Sequence, residues 1–302
     1  MGFKWSLVQI QSPRFAIYSP SIVGSQLTPF KRCVEAILLR LIADSPKHAW
    51  SVLLLILLTN DDGIHSEGLT LLQQKLIEHY ETIVLAPERE RTCVGHAITL
   101  HKPLRIREAG EGVFATNGTP ADCVLLGAKV VAPRKPDLII SGINKGPNMG
   151  QDVNYSGTVA AAKEGAFLGI PSIALSINAR SHYLFKDAVE VTKTIVRILD
   201  KYRFLDNAFL NVNVPNVPAR TIKGFMVTRL GKRIYNDTVI ERIDPRGGRY
   251  YWIGSDSEAY ESLEGTDFYA VDKGYVSVTP LGLDVTSDSC IRKYKKYFRR
   301  NV

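Results

Sequence analysis

A chain of 302 residues, 45% hydrophobic and 23% charged, has the composition of a globular protein with a sizeable core, which excludes a disordered or collagen-like chain. Its formal charge of +8 sits at the ends: residues 1–50 hold six Lys/Arg against two Asp/Glu, residues 291–302 hold six Lys/Arg and no acid, and the stretch between is slightly acidic. A nucleic-acid-binding surface along the whole chain is therefore excluded.

The first segment, Met1 to Val34, has no acidic residue and no clear hydrophobic period. Residues 1–51 are expected to form an extension outside the packed fold, or to follow from a start placed upstream of it. Its lack of acids fits an organelle transit peptide loosely, and Met1-Gly2 with Ser6 fits a myristoylation pattern, but Phe3 and Trp5 are bulky for the latter and Arg is scarce for the former. Glu35 to Ala43 has the pattern of a short apolar helix. The four cysteines, Cys33, Cys93, Cys123 and Cys290, are scattered without metal-site or disulfide spacing, and a reducing, cytoplasmic setting is expected.

From Val52 onward, short apolar runs rich in β-formers alternate with segments of helical period, the pattern of a parallel sheet covered on both faces. Val52–Leu58 is the first strand, far short of the roughly 20 residues that cross a bilayer. Glu67–Tyr80 is a helix, Ile83–Leu85 a strand, Ala121–Val131 a helix opened by Pro120, and Asp137–Ser141 a central strand. An Ala-rich helix over Val159–Leu168, a strand over Pro171–Ser176, an amphipathic helix over Leu184–Tyr202 and a strand over Phe209–Val214 complete a Rossmann-like three-layer α/β/α domain spanning 52–218. In 219–302 the pattern changes. Strands at Ile222–Thr228 and Tyr250–Ile253 flank a polar stretch with Arg246-Gly247-Gly248 and suggest a projecting β-hairpin. A helical turn over Thr266–Val271, a strand over Tyr275–Pro280 and a basic terminal helix follow. Such hairpins and end helices serve subunit contacts, and a homo-oligomer is expected.

Thr59-Asn60-Asp61-Asp62-Gly63 directly follows the first strand. Neighbouring side chains of a strand point to opposite faces, so two adjacent carboxylates serve one ion only where the chain turns, as Gly63 permits. Open α/β sheets bind ligands outside the carboxyl ends of their strands, and a carboxylate pair there suits a hard cation such as Mg²⁺ or Mn²⁺. A polar turn or helix cap is the alternative for this pentapeptide alone. Two more polar clusters follow strands in the same way: Ala86–Thr92, with Arg89 and Arg91, and Ser141–Asn148. If their strands are neighbours, Thr92 and Asn144 can add a hydroxyl and an amide oxygen to the carboxylates; taken singly, the first cluster reads better as a solvated charged loop and the second as a glycine-rich turn. Tyr155-Ser156-Gly157-Thr158 precedes the Ala-rich helix, where free N–H groups and hydroxyls favour a phosphate, although capping by Ser156 or Thr158 is compatible with the same residues. For Asn117-Gly118-Thr119-Pro120, with Asp122 in the following turn, capping is the preferred role. His96 has no evident partner in the sequence and Cys93 no activating group, so both are assigned to packing or support rather than to chemistry.

The ordered segments TNDDGIHSEG, APERERTCVGHAITL, NGTPADCV, SGINKGPNMG and YSGTVAAAKEG, with GTDFYAVDKGYVSVTPL later, resemble the SurE family of survival-protein nucleotidases. The likeness runs from about Val52 to near the C-terminus. It implies a Rossmann-like domain, a hairpin-bearing C-terminal region that builds a homodimer or homotetramer, and one divalent metal ion, Mg²⁺ or Mn²⁺, per subunit. The metal would be held by Asp61, Asp62, Thr92 and Asn144. Thr92 stands where the family usually has serine, keeping the oxygen and adding a methyl group. Asn148, Ser156, Gly157 and Thr158 match the family's phosphate contacts. The implied activity is hydrolysis of nucleoside 5′- and 3′-monophosphates, with short polyphosphate a further substrate, and Asp61 and Asp62 as catalytic carboxylates; whether water or a carboxylate attacks phosphorus is left open. A dinucleotide-dependent oxidoreductase is disfavoured because no G-x-G-x-x-G follows the first strand. The other alternative is a nucleic-acid-binding protein that uses the basic tail of Arg292, Lys293, Lys295, Lys296, Arg299 and Arg300 and has lost catalysis; a solvated face of an amphipathic helix is preferred for that tail.

Overall fold

A computed structural model describes residues 54–202, 207–234, 238–254 and 259–298, together with the backbone of 4–9 and 16–21. The expected helix at Glu35–Ala43 and the basic residues Arg299 and Arg300 lie outside the described residues.

Fifteen strands are described. β1 (Lys4–Gln9) and β2 (Ala16–Ser21) form an antiparallel pair. β3 (Leu55–Thr59), β4 (Glu81–Pro87), β5 (Ile106–Gly110), β6 (Val113–Thr116), β7 (Leu138–Lys145), β8 (Ser172–Asn178) and β9 (Ala208–Pro215) follow. β10 (Gly224–Val227), β11 (Lys232–Arg233), β12 (Thr238–Ile243), β13 (Arg249–Gly254), β14 (Tyr260–Glu261) and β15 (Val276–Gly282) complete them. The α-helices are α1 (Glu67–Leu76), α2 (Pro120–Leu126), α3 (Gly157–Phe167), α4 (Phe185–Tyr202), α5 (Asp267–Asp272) and α6 (Asp288–Phe298).

The main sheet has the order β1-β2-β10-β15-β9-β8-β7-β3-β4-β6-β5. Its centre, from β6 through β4, β3, β7 and β8 to β9, is parallel throughout. The chain first builds outward from β3 to β4 and β6, then returns to place β7 on the other side of β3 and builds away through β8 and β9. The direction of winding therefore reverses between β3 and β7, and the crevice outside their carboxyl ends is where an open α/β sheet takes its ligand.

Alternation along β3 sends Ile56 and Leu58 to one face, with Leu69, Leu72 and Leu76 of α1 and Phe185, Val189 and Val196 of α4, while Leu55 and Leu57 face Cys123 and Val124 of α2 and Ala161 of α3. The result is the expected three-layer α/β/α arrangement. No helix among the described residues is long and apolar enough to cross a membrane.

Several expected elements differ in extent. The helix at Glu67 stops at Leu76, and His79 and Tyr80 turn back onto the Leu76 carbonyl. The helix at Pro120 is α-helical to Leu126 and continues as a π-turn over Gly127–Val131, where Gly127 packs so closely on Leu57 that an added Cβ would lie 2.7 Å from its Cδ2. β5 and β6 have no counterpart among the expected elements, since β5 is an exposed edge strand whose polar IREAG sequence carries little alternation. A projecting hairpin is present, but its strands are β12 and β13, turning at Asp244–Gly248. The expected partner, Ile222–Thr228, instead holds β10, which joins the main sheet beside β15 because its residues Gly224–Met226 are buried. α6 has no buried residue.

A candidate active site at the winding reversal

The turn after β3 is built by Asn60, which the sequence did not single out. Its side chain is fully buried, accepts from Gly63 N–H at 3.2 Å and donates to Gly63 O at 3.0 Å and to Ser66 Oγ. Asn60 thereby folds the chain back within one residue of the two carboxylates, and Gly63 adopts φ +94° to complete the turn. An Asn between a buried strand and Asp-Asp-Gly is the signal that would have revealed it.

Asp61 is 6% exposed. Burial, and next the neighbouring Asp62 charge, push its carboxyl up to about 6, against the pull of a hydrogen bond from the Thr158 hydroxyl. Asp62 is less enclosed; burial raises its carboxyl too, opposed by the Lys145 N–H at 3.3 Å and the Lys145 charge. The Asp61 carbonyl accepts from Arg91 N–H at 2.7 Å, which ties the loop after β4 to the same turn.

β7 runs past Ser141 to Lys145, further than expected. Its register against β8 slips by one residue between Ser141 and Asn144, a bulge that re-aims the strand end toward the β3 turn. Asn144 donates through Nδ2 to Gly146 O at 2.9 Å, which directs its amide oxygen elsewhere. Asn148 is buried and held on three sides: its N–H donates to Asn213 Oδ1, its Nδ2 to Ser176 Oγ, and its carbonyl accepts from Asn211 and Asn213. The two asparagines of β9, Asn211 and Asn213, were missed because each alternates with apolar residues and reads as strand interior.

α3 begins at Gly157. Ser156 caps it by accepting from Val159 N–H at 3.1 Å, and the Thr158 N–H is taken by the Asp61 carboxylate, which leaves the Gly157 N–H at the very start of the helix for an anion. Gly157 and Thr158 both touch Asp61, the one by close packing and the other through its hydroxyl. The structure thus joins Asp61, Asp62, Ser156, Gly157 and Thr158 at one point and brings the Asn144 strand end against it. Thr92 lies at the rim: it is exposed, and its hydroxyl donates to Glu90.

Other residues differ from expectation or complete the frame. His96 has a partner, with Nε2 2.9 Å from Glu164 Oε2 on α3. The fold supplied it from 68 positions away, a pairing that sequence proximity does not show. Thr119 caps α2 in a reciprocal box with Asp122, whose second oxygen accepts from Thr99 N–H at 3.0 Å. Cys93 is exposed with φ +55°, and Cys123 is buried with its thiol pushed up by burial.

The donor set fits a divalent cation. A buried carboxylate and a half-buried one stand side by side, both pushed up by burial and with only the Lys145 charge opposing this at Asp62; no ion pair to either is found among the described residues, so a bound cation is the natural countercharge. No cluster of three or more His, Cys, Asp and Glu exists among the described residues, which means neutral oxygens must complete the shell, a preference of hard cations.

Comparison with known proteins places this geometry in context. The family model described as Survival protein SurE matches residues 56–237. The chain is 46% identical over 244 residues to a 5′-nucleotidase SurE from Citrifermentans bemidjiense, covering 80% of this chain and 98% of that protein. It is 48% identical over 234 residues to a 5′-nucleotidase SurE from Pelobacter propionicus, covering 77% and 94%. A crystal structure of a SurE protein from Aquifex aeolicus superposes with a TM-score of 0.74 at 44% identity, over 81% of this chain and 99% of that one.

Proposed function

This chain belongs to the SurE family, and on that premise we propose that it is a metal-dependent phosphomonoesterase that hydrolyses nucleoside 5′- and 3′-monophosphates to nucleoside and phosphate. The observation that carries the reading is the contact of Asp61 with both Gly157 and Thr158: a carboxylate pair suited to a cation lies directly against a helix N-terminus suited to a phosphate. Short polyphosphate offers the same terminal phosphoryl group and falls within the same proposal.

Asp61, Asp62, Asn144 and Thr92 would hold one Mg²⁺ or Mn²⁺ ion per subunit. When bound, a divalent cation supplies Lewis acidity to the phosphoryl group and to the attacking water. The chain's own residues do the rest. The Thr158 hydroxyl fixes the Asp61 carboxylate, so its orientation is set before substrate arrives. The Gly157 N–H at the start of α3, with Ser156 and Asn148, would receive the equatorial phosphoryl oxygens and stabilise the charge that spreads over them during in-line displacement. Asp61 or Asp62 would take the proton from water, and the lesser enclosure of Asp62 favours it for that role. A homodimer or homotetramer built through 219–302, and a cytoplasmic location, belong to the same proposal.

Phosphate release from a panel of nucleoside monophosphates and polyphosphate, with Mg²⁺, Mn²⁺ or chelator, tests it. Chelator should abolish release, and Asp62→Asn should remove most of it while weakening metal binding. Release that survives chelator, or full turnover by Asp62→Asn, would refute the metal site.

A further inference from the structure

Residues 91–99, between β4 and β5, contain neither helix nor strand, yet four of the elements around the cleft hold them. Arg91 N–H donates to Asp61 O at 2.7 Å and Gly95 N–H to Tyr155 O at 3.0 Å. Ala97 O accepts from the Thr119 hydroxyl at 2.7 Å, and Thr99 N–H donates to Asp122 at 3.0 Å. The fifth tie, from His96 to Glu164, reaches the body of α3, two turns beyond the residues that face the phosphate.

The physical character of that tie differs from the rest. Glu164 is only 8% exposed, and a polar group so placed needs a hydrogen-bonding partner. His96 Nε2 supplies one, and its ring lies parallel to Phe167 with centroids 5.8 Å apart and planes 7° from parallel, so the imidazole is fixed in both direction and tilt. Loop and helix are thereby locked together by a pair that touches neither the carboxylates nor the phosphate-facing turn.

We propose that His96 and Glu164 are positioning residues: their pairing sets the 91–99 loop on α3 and so places Thr92, four residues upstream, relative to Asp61 and the start of the helix. The proposal rests on the functional reading above for the role given to Thr92. Partners outside a metal's immediate ligands, when removed, typically weaken affinity or activity by about 10–100-fold. A merely structural pair would instead lower global stability and leave the loop and the metal affinity of the folded protein unchanged.

Hydrogen exchange on the metal-free protein, titration with Mn²⁺ alone, and steady-state kinetics with adenosine 5′-monophosphate separate these cases. In His96→Ala, amides of 93–99 should exchange about tenfold faster while those of β3 and β7 keep their protection. Mn²⁺ affinity and kcat/KM should each fall about tenfold. His96→Gln, which retains a donor near the Nε2 position, should recover most of both. If His96→Ala fails to fold, Glu164→Gln, which keeps the buried volume, carries the same readouts with a smaller, severalfold effect. Unchanged exchange in 93–99, or unchanged Mn²⁺ affinity in a loosened loop, overturns the proposal. Failure of the wild-type protein to release phosphate would count against the functional reading instead, because the exchange measurement needs neither metal nor substrate.

Discussion

Gly157 lies so close to Asp61 that a Cβ built on it would stand 2.9 Å from the Asp61 Cβ and 3.0 Å from its Oδ2. Real Cβ atoms do not approach that closely, so the glycine is required by the contact between a helix N-terminus and a carboxylate, whatever its own backbone would tolerate. Gly157→Ala should therefore displace Asp61 or the first turn of α3. Overpacking of this kind costs about 1–3 kcal/mol, and the strain falls where metal and phosphate would meet. Turnover should drop by more than tenfold, with Mn²⁺ affinity also reduced. An alanine variant with wild-type kinetics would show that the two groups move apart without consequence.

Asp61 makes the metal-free protein's stability depend on pH in an unusual direction. Its carboxyl is pushed up to about 6 from an ordinary 3.8, so between those values the folded state binds more protons than the unfolded chain. Stability must then fall as pH rises through that window and level off above it. Two pKa units correspond to about 3 kcal/mol at neutral pH. Asp61→Asn, which cannot ionise, should match the metal-free wild type near pH 4 and exceed it in Tm at pH 7, while losing phosphatase activity. Mn²⁺ should restore the wild type's stability at pH 7 and much less at pH 5, where protons compete for the carboxylate. Melting curves at both pH values, with and without metal, decide the matter; equal Tm values for variant and wild type at pH 7 would contradict the buried charge.

The three described cysteines should report the fold through their reactivity. Cys123, on the sheet-facing side of α2, is buried with its thiol pushed up by burial, so thiolate is scarce and reagent has no access. Cys93 and Cys290 are exposed. Brief alkylation of the native protein followed by peptide mass mapping should label Cys93 and Cys290 and spare Cys123. Bound Mn²⁺ should slow labelling of Cys93, which neighbours Thr92, without affecting Cys290. Rapid labelling of Cys123 would mean that α2 opens readily.

The sequence made the layers legible because β3, β7 and β8 are short apolar runs and α4 has a clean helical stripe. It also made the carboxylate pair legible, since Asp61-Asp62-Gly63 breaks such a run abruptly. Long-range partners were not legible. The His96–Glu164 pair, the Thr158–Asp61 hydrogen bond and the Asn148–Asn211–Asn213 ladder each join positions more than 60 residues apart, and periodicity carries no information about which strand end faces which helix start. β10 and β12 were confused for a related reason. β10 is a four-residue apolar run and β12 a six-residue mixed one, each short enough to be read as the partner of Tyr250–Ile253, and only the neighbours available in space assign one to the buried sheet and the other to the hairpin.

That hairpin makes the last prediction. β12 and β13 pair with each other in a two-stranded sheet separate from the main one, and an isolated hairpin is marginal in water without further packing. Its side chains are nevertheless apolar on both faces: Val239 is 61% exposed, Trp252 64% and Ile253 85%. Contiguous exposed apolar surface of this kind marks a contact site, and the expected homo-oligomer supplies a second copy of the chain to cover it. Trp252→Ser with Ile253→Ser should shift the sedimenting species from dimer or tetramer toward monomer at micromolar protein. Residues 55–59 and 138–145 lie in the other sheet, so their exchange protection should persist in the monomer. An unchanged sedimentation coefficient in the double variant would remove the hairpin from the interface.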